Sequence, residues 1–188
     1  MSWRSRAVCL MLLVMGSAEV TSALGYRHMD LDTLVRASDL IVYGKVIRIR
    51  PQYDSATGSI WTHTEILVID TAKGPSKTSL TVTEPGGVIG GRGELFPGVP
   101  RFGINQEVVL FLYLAPGNRL RITGLQQGVF TVAADLKTGE RIALPSTPPA
   151  EVVYESGSRL LRAARSSTSG AEKLSHFMNT LRQKASVR

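Results

Sequence analysis

The feature that most constrains this chain is a run of strand-forming segments from Leu40 to Val132, broken once by a Gly/Pro-rich stretch from Glu84 to Phe102. Several short strands with turn chemistry between them specify a small barrel or sandwich. A connection of about twenty residues is uncommon in a compact domain and is usually functional or disordered. The sequence thus constrains architecture, and the place of a site, more tightly than it constrains an activity.

The strands are read from turn residues and alternation. A helix is expected over 29–38, capped by Asp30, with Leu31, Leu34 and Val35 on one face. Asp39 to Arg50 is the first strand, and Pro51 is expected to end it. Gly44 in its middle predicts a bend or a close backbone approach. Ile60 to Asp70 is the second strand, the Lys73-Gly-Pro75 turn follows, and Ser79 to Glu84 is the third. Glu107 to Leu114 is apolar enough to be buried on both faces. Pro116-Gly-Asn118 is a hairpin turn. Arg119 to Thr123, Gly128 to Val132 and Arg141 to Leu144 complete the series. A weaker helix is expected over 150–165 and a flexible joint over 166–170. A final amphipathic helix is expected over 171–185, where Leu174, Phe177, Met178 and Leu181 share one stripe that should dock on the barrel.

The first residues read as an export signal. Arg4 and Arg6 precede the apolar stretch Ala7 to Met15, and Thr21-Ser-Ala23 offers small residues for cleavage. Nine apolar residues span about 14 Å as a helix, too short to cross a bilayer. The expected organisation is therefore a signal peptide at 1–23, a β-barrel domain at 24–145 and a basic helical segment at 146–188. The one cysteine, Cys9, lies inside the signal. Export without a disulfide fits a bacterial protein better than a small secreted eukaryotic domain. The net charge is +7. Loss of Arg4, Arg6 and Glu19 leaves about +6. Seven of the cations lie between Ser158 and Arg188, against Glu172 alone. Such a segment suits a solvated face, or contact with an anionic lipid, polysaccharide or nucleic acid.

The Gly86 to Gly93 loop does not suit phosphate. A phosphate loop opens a helix, whereas here Glu-Leu-Phe-Pro follows. Glycines permit unusual backbone angles in its first half, and prolines stiffen the second. Val88, Ile89, Leu95, Phe96, Val99 and Phe102 are six apolar groups on one loop. They are expected either to fold back and plug the open end of the barrel or to form an exposed binding surface, with the plug favoured. Arg92 and Arg101 would be polar points on its rim.

The helix, then Ala37-Ser-Asp-Leu-Ile-Val-Tyr-Gly-Lys-Val46, then a long strand ending in Lys73-Gly-Pro75, resembles the netrin-like domain, which includes the tissue inhibitors of metalloproteinases. That likeness implies an OB-fold barrel. The chain is also similar to a group of uncharacterised secreted bacterial proteins. The similarity rests on Ser38 to Val46, Ile60 to Thr64, Gly86 to Gly93, Pro97 to Phe102, Glu107 to Leu112 and Gly124 to Gly128. It implies a fold and an exported location but no activity. The metalloproteinase inhibitors act through an N-terminal cysteine, which the mature chain lacks, so their mechanism does not carry over.

His28, His63 and His176 fall in separate elements without ligands at metal spacing, and no metal or cofactor is expected. No Gly-x-Ser-x-Gly elbow is present, and no carboxylate pair is placed by spacing. No catalytic residue is named. The fold class expected is mainly β, an OB-like closed or partly open antiparallel barrel with a short N-terminal helix and a C-terminal amphipathic helix. The function expected is an exported, non-enzymatic binding module, secreted or periplasmic. It would recognise a protein or envelope polymer, not nucleic acid, through Val88, Ile89, Arg92, Leu95, Phe96, Val99, Arg101 and Phe102. An inhibitor or chaperone of an exported metalloprotease, and an enzyme with an unrecognised site, are the alternatives.

Overall fold

A computed structural model describes residues 28–146 and 171–186. The expected leader at 1–23 and helix at 150–165 lie outside the described residues. Among the described residues, no helix is long and apolar enough to cross a membrane. The chain is mainly β. Its elements are α1 (Leu31–Ala37), β1 (Leu40–Asp54), β2 (Ser59–Lys73), β3 (Ser79–Pro85), β4 (Gly87–Ile89), β5 (Arg92–Glu94), β6 (Glu107–Ala115), β7 (Arg119–Ile122), β8 (Val129–Ala134), β9 (Arg141–Pro145), β10 (Glu172–Lys173) and α2 (Leu174–Ser186). A 3-10 turn, Leu125–Gly128, joins β7 to β8.

Eight strands form one sheet in the order β1-β2-β3-β7-β6-β8-β9-β10, and β6 pairs with β1 as well. β4 and β5 form a separate ribbon. β1 and β6 have apolar side chains on both faces, and the sheet gives each face its own core. Leu40, Val42 and Val46 meet Val108, Leu110 and Leu112 on one side, with Ile66, Val82 and Ile122. Ile41 and Tyr43 meet Val109 and Phe111 on the other, beneath the two helices. The expected two-faced burial of β6 holds from Val108 to Leu112, where every residue is fully buried. Gly44 is the predicted close approach. A Cβ there would lie 2.6 Å from both Ile66 Cγ2 and the Leu67 carbonyl oxygen, and the ladder shifts register beside it.

α1 is held at its start by Asp30, whose side chain accepts from the Thr33 amide at 2.8 Å. Leu34 and Val35 face the core. The apolar stripe of α2 docks as expected: Leu174, Phe177, Met178 and Leu181 are all buried in the core that α1 shares. Burying side chains of this size contributes about 2 kcal/mol each. The Phe177 ring lies 4.7 Å from that of Phe130, which is 5.6 Å from that of Phe111.

Three of the differences from the sequence reading have a cause in the sheet. β1 runs through Pro51 to Asp54, because β6 leaves it after Lys45 and only β2 pairs with it there. Proline is tolerated in a strand with one free edge. α2 starts at Leu174, because Glu172 and Lys173 pair with Ala143 and Ile142 of β9 instead. The Gly/Pro-rich stretch, expected to be irregular, contains the β4–β5 hairpin.

One junction depends on a side chain. β3 and β7 run parallel and pair only at Val82 and Leu120. Beyond that point Glu84 takes over. It is buried, accepts from the Ile122 amide at 2.6 Å, and accepts from Arg121 at 2.9 Å. Removing the carboxylate strands a buried amide and a guanidinium. Glu84→Ala should therefore lower the unfolding free energy by about 3 kcal/mol in urea titration. Arg48→Ala, which removes the largely exposed 3.5 Å pair with Glu65, should change it by less than about 1 kcal/mol.

The side chain and amide of Thr33 hold the Asp30 carboxyl below its ordinary value of 3.8. A lowered folded pKa stabilises above the ordinary value, and that stabilisation is lost as pH falls through the lower one. The difference in Tm between wild type and Asp30→Ala should thus be present at neutral pH and close between about pH 5 and about pH 2.

Candidate functional site

The β4–β5 hairpin is built on glycine. Gly86 and Gly87 have φ of 98° and 144°, and the turn residues Gly90 and Gly91 have φ of 55° and 82°. These angles favour glycine strongly. At Gly87 a Cβ would also meet Thr62 Oγ1 at 2.6 Å, Ile60 Cγ2 at 3.0 Å and Pro51 Cβ at 3.1 Å. The hairpin backbone therefore rests directly on the end of the β1–β2 ladder. Polar bonds fix it there. The Gly86 amide donates to the Ile60 carbonyl at 2.7 Å. Thr62 Oγ1 donates to the Gly86 carbonyl at 2.5 Å. The Ile60 amide donates to Glu94 Oε2 at 2.8 Å.

The residues named from sequence divide. Leu95 is 74% exposed, Val88 55%, Phe96 42% and Ile89 36%. Val88 lies across the ribbon from Gly93, and Phe96 packs beside Gly86, where a Cβ would come within 3.3 Å of its ring. Phe102, in contrast, packs against the core between the sheet faces, and Val99 is half-buried. The favoured plug is thus corrected for four of the six apolar side chains. The glycine backbone lies so close to Ile60 and Thr62 that no side chain fits beneath it at Gly87, and Val88, Ile89, Leu95 and Phe96 remain exposed. Arg92 pairs with Glu94 at 3.3 Å. Arg101 is exposed and has no ion-pair partner among the described residues.

Sequence reasoning missed Glu94. A carboxylate on a loop gave no sign that it would cap the Ile60 amide 34 residues earlier in the chain. It also missed what surrounds Trp61. The guanidinium carbons of Arg119 and Arg121 lie 5.2 and 5.6 Å from its ring centroid, and its Nε1 donates to Thr57 Oγ1 at 3.2 Å.

A cleft of about 630 Å³ opens elsewhere, between α2 and the ends of β2 and β9. Its floor includes Tyr43, Ile69, Leu174 and Met178. Its charges pair with one another or with near neighbours. Arg182 binds Asp70, Arg141 and the Tyr43 hydroxyl both meet Glu107, and Lys173 meets Glu140 at 2.8 Å. These pairs clasp α2 and β9 to the sheet. Among the described residues, no group of three or more His, Cys, Asp or Glu side chains could hold a metal ion.

No protein-family model matches the chain, and no curated protein matches it.

The role of Glu94 is measurable. Glu94→Ala should speed amide exchange at Ile60 by at least about tenfold, a local opening of about 1.4 kcal/mol. Global stability should fall by less than about 1.5 kcal/mol.

Proposed function

We propose that this chain is a non-catalytic binding module that works outside the cytoplasm and captures its partner, a protein or an envelope polymer, on the β4–β5 hairpin. The observation that carries the reading is the exposure of Val88 and Ile89 on the hairpin, and of Leu95 and Phe96 just after it, where hydrogen bonds fix the hairpin to Ile60 and Thr62. Apolar side chains held at a fixed site reach the partner with little ordering left to lose. The export-type sequence at 1–23 supports the location.

The scaffold in this reading is an OB-like barrel. Support comes from the pairing β1-β2-β3-β7-β6 with β6 returning to β1, and from the single parallel contact between β3 and β7. The resemblance to the netrin-like domain agrees with it. A barrel of this kind leaves its mouth to loops, and the hairpin occupies that place beside the start of β2.

The test uses the mature chain with a photo-crosslinking residue at position 95 in an envelope extract. The expected result is one dominant adduct that disappears in a Val88→Ser/Phe96→Ser variant whose Tm stays within about 4 °C of wild type. Protease treatment of the extract removes the adduct if the partner is a protein, and a glycan hydrolase removes it if the partner is a polymer. The same adduct at undiminished yield in the variant would sink the reading.

A further inference from the structure

The outward face of β1, β2, β3 and β7 carries a second arrangement, separate in chemistry from the hairpin. Register places Arg50 opposite His63 and Gln52 opposite Trp61 on one side of β2. On the other side, Thr83 stands opposite His63 and Thr81 opposite Glu65. Directly opposed residues share a face of the sheet. This face is turned away from the core that holds Ile66, Leu80 and Val82. Arg119 and Arg121 reach it from β7, as their positions over the Trp61 ring require.

The cations here are unequally satisfied. Arg121 is held by buried Glu84. Among the described residues, the ion-pair partner of Arg119 is Asp54 alone, at 3.8 Å. Arg50 is exposed and has neither an ion-pair nor a hydrogen-bond partner among the described residues. Arg50 is the diagonal neighbour of Trp61 across the β1–β2 ladder, a position where side chains start about 7–8 Å apart. Two guanidinium groups thus lie over one indole, with Arg50 and His63 at neighbouring positions on the same face. His63 Nδ1 is engaged by Thr83 Oγ1 at 3.0 Å.

Stacking on the indole restrains Arg119 and Arg121 while leaving their in-plane donors available. Their side-chain entropy is largely lost before a ligand arrives, so less is lost on binding. Planar guanidinium donors match the oxygens of a carboxylate or sulfate. Gln52 and Thr81 flank them with neutral donors and acceptors of the kind that hydroxyl groups use. From this combination we infer that the face binds an acidic polysaccharide, with Arg50 and Arg119 holding its anionic groups and Arg121 fixed on Trp61 beside them. The hairpin takes no part in this site, so each reading can fail without the other.

The experiment measures binding of the mature chain to polygalacturonate and to heparin, with neutral dextran as the blank. An Arg50→Gln/Arg119→Gln variant should bind at least about tenfold more weakly and show a flatter salt dependence. A Lys77→Gln/Lys137→Gln variant loses the same charge at exposed positions outside both sites and should change by less than about twofold. Trp61→Leu should weaken binding with all three arginines still present, with its Tm recorded as the check on folding. Preference between the two polymers tells carboxylate from sulfate. Equal weakening by the two double variants would overturn the inference, because net charge alone would then explain retention. So would binding of a single-stranded oligonucleotide as tight as that of either polysaccharide, or no binding to either.

Discussion

The antiparallel pairing of β1 with β6 is the constraint on which the rest of the structure depends. Its register sets Leu40 opposite Leu112, Val42 opposite Leu110 and Gly44 opposite Val108. A slip of one residue would exchange the two faces of a strand. Because both faces are buried, a slip would move every side chain from one core to the other. Ile41, Tyr43, Val109 and Phe111 would leave the helices, and Val42, Leu110 and Leu112 would replace them. The different shapes of the two cores, one closed by strands and one by α1 and α2, therefore select a single register. The helices are part of that selection, since α2 completes the core under which β1 and β6 lie.

Where the ladder thins, side chains replace it. The β3–β7 contact has one backbone pair, and buried Glu84 continues it through the Ile122 amide and Arg121. The same arginine leans on Trp61 of β2, so the substitute for a ladder also ties in the next strand. At the opposite end, Lys73 Nζ donates to the carbonyls of Val35 and Ser38 at 2.7 and 2.6 Å. That cation at the end of α1 satisfies carbonyls the helix leaves open.

How much was legible follows from the range of each signal. Strand faces, the Asp30 cap, the stripe of α2 and the close approach at Gly44 were readable because each is a local pattern with a local cause. The continuation of β1 past Pro51 was not, because tolerance of proline depends on whether a second strand lies alongside. The Glu172–Lys173 pairing was hidden for a similar reason: helical periodicity continues through both residues, and only the neighbouring β9 edge pulls them into the sheet. Leu125, at φ 56°, carries no residue signal for a left-handed turn. The role of Glu94 depends on an amide 34 positions away, and no spacing rule reaches that far.

The hairpin shows how local chemistry can point the wrong way. Six apolar residues on one loop argue for burial, and the hydrophobic effect favours it. Yet burial needs room, and here the glycines close that room. Once Gly87 rests against Ile60, Thr62 and Pro51, the space a plug would fill is taken up by backbone and by the side chains of β2. A backbone-tight cap and a side-chain plug are alternative ways to finish the same end of the strands. Choosing the first leaves Val88, Ile89, Leu95 and Phe96 exposed, at a cost in solvation that the fold itself does not recover. A chain under selection only for stability would replace those four with polar residues, since their removal loses little packing. In the binding reading proposed above, a partner's surface covers them.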